Sequence, residues 1–204
     1  MSGLRVGRLS RRVALLVGAA FIASRGIGRV AAIPSKPSGV SPLPAQLDAT
    51  EVAMQHVTIR AAKPFEAVRI ALEAALPPLD HSYEEFLRSG NATEARDRME
   101  RLAPLSIFGM RDHGSLLLVA GSRQKAIQYD IGNPLTASRM TRHVLSAALY
   151  APIRVLLREA ADGNAAFEYD RPKTSFGQFS DKDVDAVADE LDRRLRETLL
   201  AAAS

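Results

Sequence analysis

The chain has 204 residues, 47% of them hydrophobic and 25% charged, which is enough to bury one sizeable core. Its formal charge of +4 invites a nucleic-acid reading. However, six arginines (Arg5, Arg8, Arg11, Arg12, Arg25 and Arg29) stand among residues 1–32 with no acid, leaving 21 basic side chains against 23 acidic ones, and that excludes a DNA or RNA footprint on the body.

No cysteine occurs, so thiolate metal sites, iron–sulfur clusters, thiol nucleophiles and disulfide frameworks are excluded as well. Residues 1–32 read as a signal peptide: a basic opening, an apolar run from Val13 to Ala23, and the small residues Val30-Ala31-Ala32 before Ile33. The apolar run is about half of the roughly 20 residues that a membrane-spanning helix needs, so no permanent membrane anchor is expected. Ser10-Arg11-Arg12-Val13-Ala14-Leu15 fits a twin-arginine signal, with general secretion as the other route. The expected location is periplasmic or secreted. Residues 33–50, with Pro34, Pro37, Pro42 and Pro44 among serines, resist helix and offer little to bury, and they read as a linker to a single domain over 51–204.

In that domain Met54 to Arg60 alternates and carries β-branched residues, which predicts a half-buried strand. Pro64 opens a helix in which Phe65, Val68, Leu72, Ala75 and Leu76 recur until Pro77-Pro78. Tyr83 to Leu102 is charged, with a thin apolar stripe broken at Gly90-Asn91, and predicts two short helices. Leu105 to Met110 and Ser115 to Ala120 are apolar runs about Arg111-Asp112-His113-Gly114, and predict a hairpin. Lys125 to Ile131 alternates as a further strand, and Thr136 to Ala148 returns to helical spacing. Ile153 to Glu159 and Ala165 to Asp170 flank Asp162-Gly163-Asn164 as a second hairpin. Ser180 and Asp183 stand as a capping pair before a closing helix with Val184, Val187, Ala188, Leu191, Leu195 and Leu199 in one stripe. Together these elements predict an α+β two-layer sandwich with an antiparallel sheet.

Gly132-Asn133-Pro134, Leu149-Tyr150-Ala151-Pro152-Ile153-Arg154 and Glu168-Tyr169-Asp170-Arg171-Pro172 resemble the family called domain of unknown function 302, from about His56 to Leu200. Asp112-His113-Gly114, Met140-Thr141-Arg142-His143 and Phe176-Gly177-Gln178-Phe179 fit the same family. The resemblance implies a strand-helix-four strands-helix sandwich similar in layout to TATA-binding-protein-like folds, here with helical insertions, and association as a homodimer. It transfers no catalytic residue.

Pairing across Asp162 to Asn164 should bring Arg154 and Asp170-Arg171 to one edge. Arg154 then either locks onto Asp170 internally or offers its planar fork to a bound anion. Tyr150, Arg154, Tyr169, Asp170, Arg171 and Asn133 are the candidate ligand-binding residues, Asn133 through the turn that exposes backbone amides. The partner is a small ligand or a protein, and no cofactor is expected. The alternatives are an enzyme with Asp170 or His113 as the acid–base group, and a structural homodimer. His56, His81, His113 and His143 are scattered without metal-ligand spacing, so no metal site is expected, and no serine sits in a nucleophile elbow.

Overall fold

A computed structural model describes residues 45–204. The chain divides into two units, Met1–Leu47 and Asp48–Ser204. The segment read as a signal peptide, and residues 33–44 of the segment read as a linker, lie outside the described residues; residues 45–50 are exposed and without regular structure. Among the described residues no helix is long and apolar enough to cross a membrane.

The body runs β1 (His56–Pro64), α1 (Phe65–Ala75), α2 (Tyr83–Arg88), α3 (Ala92–Glu100), β2 (Ser106–Asp112), α4 (His113–Leu117), β3 (Ala126–Gly132), α5 (Pro134–Thr141), β4 (Ile153–Glu159), β5 (Asn164–Asp170), α6 (Pro172–Gly177) and α7 (Lys182–Ala203). The strands form one antiparallel sheet in the order β1-β5-β4-β3-β2, with β4 at the centre. This is the expected α+β two-layer sandwich, in which β1 and α1 lead, four further strands follow with α2 to α6 as helical insertions, and α7 closes.

Alternation assigns the two faces. Val155 and Leu157 on β4, Phe167 and Tyr169 on β5, and Tyr129 and Ile131 on β3 are buried in a single core with Val68 and Leu72 of α1 and Val184, Ala188, Leu191, Leu195 and Leu199 of α7. Burying such aliphatic and aromatic side chains contributes about 1.5–3 kcal/mol each, and it fixes the register, because a slip of one residue would turn the apolar set outward. Inside this core the Tyr129 hydroxyl donates to Glu73 Oε1 at 2.9 Å, joining β3 to α1. Burial, then the Glu73 carboxylate, pushes that phenol far above its ordinary pKa.

Three expectations need correction. Ser115 to Ala120 is not a strand: residues to Leu117 belong to α4, and Leu118–Ala120 form a 3-10 turn. Asp112 caps that helix, accepting from the Ser115 amide at 2.9 Å, so the hairpin partner of β2 is β3. The helix expected over Thr136 to Ala148 breaks after Thr141 and resumes as a 3-10 turn at Leu145–Tyr150. Finally, Asp181 rather than Ser180 caps α7, accepting from the amides of Asp183 at 2.9 Å and Val184 at 3.0 Å, while Ser180 takes a positive φ of 52°.

Candidate functional site

The outward face of the sheet collects the polar residues of the alternation. Val155 pairs with Tyr169, so Arg154 and Asp170 flank that rung on the same face, and His56 of β1 pairs with Asp170 from the other side. On β3, Asp130 pairs with Arg154. One cross-sheet row therefore runs His56, Asp170, Arg154, Asp130, Gly109; the next runs Thr58, Glu168, Leu156, Gln128, Arg111. A hollow of about 480 Å³ lies over these rows, bordered by His56, His113, Gln128, Arg154, Leu156, Glu168 and Asp170 among others.

Every carboxylate on this face has a partner. Asp130 accepts from Arg111 Nη1 at 2.8 Å, Glu168 accepts from Arg158 Nε at 2.7 Å, and Asp170 Oδ1 lies 3.2 Å from His56 Nδ1. The other nitrogen of His56 is 3.8 Å from Glu168. His113 Nε2 and Gln128 Oε1 are 3.1 Å apart at the opposite wall. Arg154 is different: it is exposed, on the central strand, and among the described residues its guanidinium makes no hydrogen bond or ion pair. Leu156, half-buried, supplies an apolar floor beside it. A cationic fork without a partner over an apolar patch, flanked by an amide and two imidazoles, can hold a planar anion bidentately.

The expected residues separate into those brought together and those put to other use. Arg154 and Asp170 do meet at one edge, where both also border a smaller cleft of about 50 Å³ with Tyr150, Met54 and Ser175. They do not form the internal pair expected as one alternative, because Asp170 is taken by His56. Tyr150 is half-buried with its ring edge-on to Phe176 and Phe179, at 6.2 and 6.0 Å between centroids, and its hydroxyl is 3.5 Å from Gln178 Oε1.

Tyr169 alternates to the core face and is only 3% exposed, so its ring packs the core; burial raises its pKa. Arg171 turns toward α7: its Nε is 3.1 Å from both oxygens of the buried Asp192, and its Nη1 donates to Gln55 Oε1 at 2.8 Å. Asn133 is the cap of α5, accepting from the Thr136 amide at 3.0 Å and donating to the Ala103 carbonyl at 2.9 Å. Tyr169, Arg171 and Asn133 are thus occupied by the fold. Sequence reading missed His56, Gln128, Glu168 and Arg158 on this face. The available signal was the polar phase of the alternation on β1, β3, β4 and β5.

Among the described residues one group of histidine and carboxylates is close enough to share a cation, His143, Asp181 and Asp183, with one ligand atom from each inside 4.8 Å. The positive end of α7 opposes a cation there, and Asp181 is committed to two amides.

The family described as Domain of unknown function DUF302 matches residues 88–202, from the end of α2 through almost all of α7. The resemblance read from His56 onward is thus matched from Arg88. No curated protein matches the chain. Among solved structures, the crystal structure of an uncharacterized conserved protein DUF302 from Bacillus stearothermophilus is similar in fold, with 14% sequence identity, a TM-score of 0.54, and coverage of 74% of this chain and 99% of that one. Neither likeness carries a stated ligand or reaction.

Proposed function

The chain belongs to the family described as Domain of unknown function DUF302, and from that premise we propose that it is a non-catalytic module that binds a small organic anion on the outward face of its sheet, with Arg154 as the recognising cation. The observation that carries this reading is the unpaired guanidinium of Arg154, near one end of the central strand, on a face where each carboxylate is already satisfied. The hollow is within the ordinary range of small-molecule sites, about 300–1,000 Å³. Gln128 and His113 supply hydrogen-bonding groups on one wall, and Leu156 favours a ligand with an apolar portion.

The test is a melting-temperature screen against small carboxylates and phosphates. A ligand that prefers the native state at a hundredfold excess over its Kd should raise Tm by roughly 5 °C or more. Arg154→Ala should abolish that rise while leaving the unliganded Tm in place. A ligand that shifts the variant as much as the wild type sinks the reading, and turnover of a panel member would instead assign acid–base work to His113 or Asp170.

The reading includes export, supported by the basic, apolar and small-residue order of residues 1–32. Replacing Arg11 and Arg12 together by Lys should stop export through the folded-protein route, and unchanged export of that variant rejects the twin-arginine assignment.

A further inference from the structure

The segment that was expected to be a strand and is instead helical presents an apolar tip. After β2 the chain turns through α4 and the 3-10 turn Leu118–Ala120, and three large side chains stand in solvent: Leu116 at 64%, Leu118 at 58% and Val119 at 94% exposure. Nothing in the core uses them. Isolated exposed apolar residues are ordinary, but three within four positions on one turn mark an interaction surface.

What lies beside the tip identifies its partner. Leu118 and Ser115 border a hollow of about 330 Å³ whose other walls include Arg123, Gln124, Lys125 and Arg69. Arg123 is exposed and has no ion pair or hydrogen bond through its side chain among the described residues. Lys125 is about half exposed and reaches Glu66 at 3.4 Å. The two carboxylates of the hollow are both engaged: Asp112 accepts from Ser115, and Glu66 accepts from Arg69 Nε at 2.8 Å. The hollow therefore offers cationic groups beside Leu118 of the apolar turn.

We propose that this lobe docks on an anionic lipid surface, with Leu116, Leu118 and Val119 entering the boundary between headgroups and acyl chains, and with Arg123 and Lys125 meeting lipid phosphates. Apolar insertion and electrostatic attraction act in the same direction at such a surface, and neither alone holds a protein firmly. A second copy of the chain fits less well. Packing the tip on itself about a two-fold axis would bring two Arg123 side chains, and two Lys125 side chains, toward each other with no spare carboxylate between them.

The chain contains no tryptophan, so Val119→Trp places a single tryptophan, excited selectively over the four tyrosines, at the tip, and Leu145→Trp places one on another exposed turn. With the protein from Ile33 onward, free of the basic and apolar segment 1–32 that would itself bind anionic lipid, the emission of Val119→Trp should shift to the blue on adding phosphatidylglycerol vesicles and stay unchanged with phosphatidylcholine vesicles. The emission of Leu145→Trp should not move with either. Adding Arg123→Ala to Val119→Trp should raise the half-saturating lipid concentration about fivefold, the share of one basic residue near a charged surface. The proposal is overturned if Val119→Trp gives no shift with anionic vesicles, if both lipids shift it equally, or if Leu145→Trp shifts as much. A lipid-independent shift that grows with protein concentration also overturns it and assigns the tip to a contact between copies.

Discussion

Arg154 and Arg171 stand near one end of the same hairpin and serve opposite purposes. The Arg171 guanidinium closes on the buried Asp192 and on Gln55, tying the end of β5 to the middle of α7 and to the chain before β1. Removing one member of a buried ion pair leaves the other charge without compensation. Arg171→Ala should therefore cost about 3 kcal/mol, read as a lower urea midpoint at unchanged slope. Arg154→Ala should stay within about 0.5 kcal/mol of wild type, because nothing in the fold depends on it. Tyr129→Phe removes only the hydroxyl that donates to Glu73, and should cost about 1 kcal/mol, with Arg69 still holding that carboxylate at 2.9 Å. The meeting of Arg154 with Asp170 was legible in the sequence, because a tight turn at Asp162 to Asn164 fixes the register of both arms. The partner of Asp170 was not legible: His56 arrives from a strand 114 residues away, and local pattern holds no record of that pairing.

At the scale of elements, α4 shows how a short apolar run deceives. Ser115 to Ala120 has neither the length nor the periodicity to separate strand from helix, and what decides is the Asp112 carboxylate bound to the Ser115 amide. Gly114 is held in that turn by close approach of other backbone: an added Cβ would lie 3.0 Å from the Gln124 carbonyl oxygen and 3.1 Å from the Ala126 amide nitrogen. Gly114→Ala should cost about 1–3 kcal/mol through the displacement it forces, measurable as a fall in Tm. The cap of α5 makes a similar case. Asn133→Ala loses an acceptor for Thr136 and a donor to Ala103, and should cost about 1–2 kcal/mol by denaturant titration.

The cap of α7 carries a pH dependence. Backbone amides, that of Val184 foremost, hold the Asp181 carboxyl below its ordinary pKa. A depressed carboxyl contributes its stability in full above its unfolded pKa, about 3.9, and loses it as pH falls through the lower folded value. Acid titration followed by helical circular dichroism should therefore show a smaller loss below about pH 4 for Asp181→Asn, which keeps an acceptor but cannot be protonated in that range. The long apolar stripe of α7 was plain from its spacing. Its first residue was not, since Ser180 and Asp181 are both good capping types and only the backbone, with Ser180 at positive φ, selects between them.

For the whole molecule, the layer architecture followed from alternation and helical spacing alone, whereas the order β1-β5-β4-β3-β2 required pairing between the two ends of the domain. That pairing also assembles the hollow: His56 comes with β1, His113 with the start of α4, and Arg154 and Asp170 with the central hairpin. The sheet has its load on one side only. Substituting Thr58, Leu156 and Gln128 together by other β-formers should move Tm by no more than a few degrees, since all three lie on the outward rows, whereas Leu157→Ala on the inward row should cost about 2–5 kcal/mol.

A sheet roofed on one side divides its sequence into two scripts written on alternate letters. The inward letters answer to close packing and tolerate few spellings; the outward ones answer to whatever the protein meets. A chain built on this frame can change its outward letters without disturbing its interior.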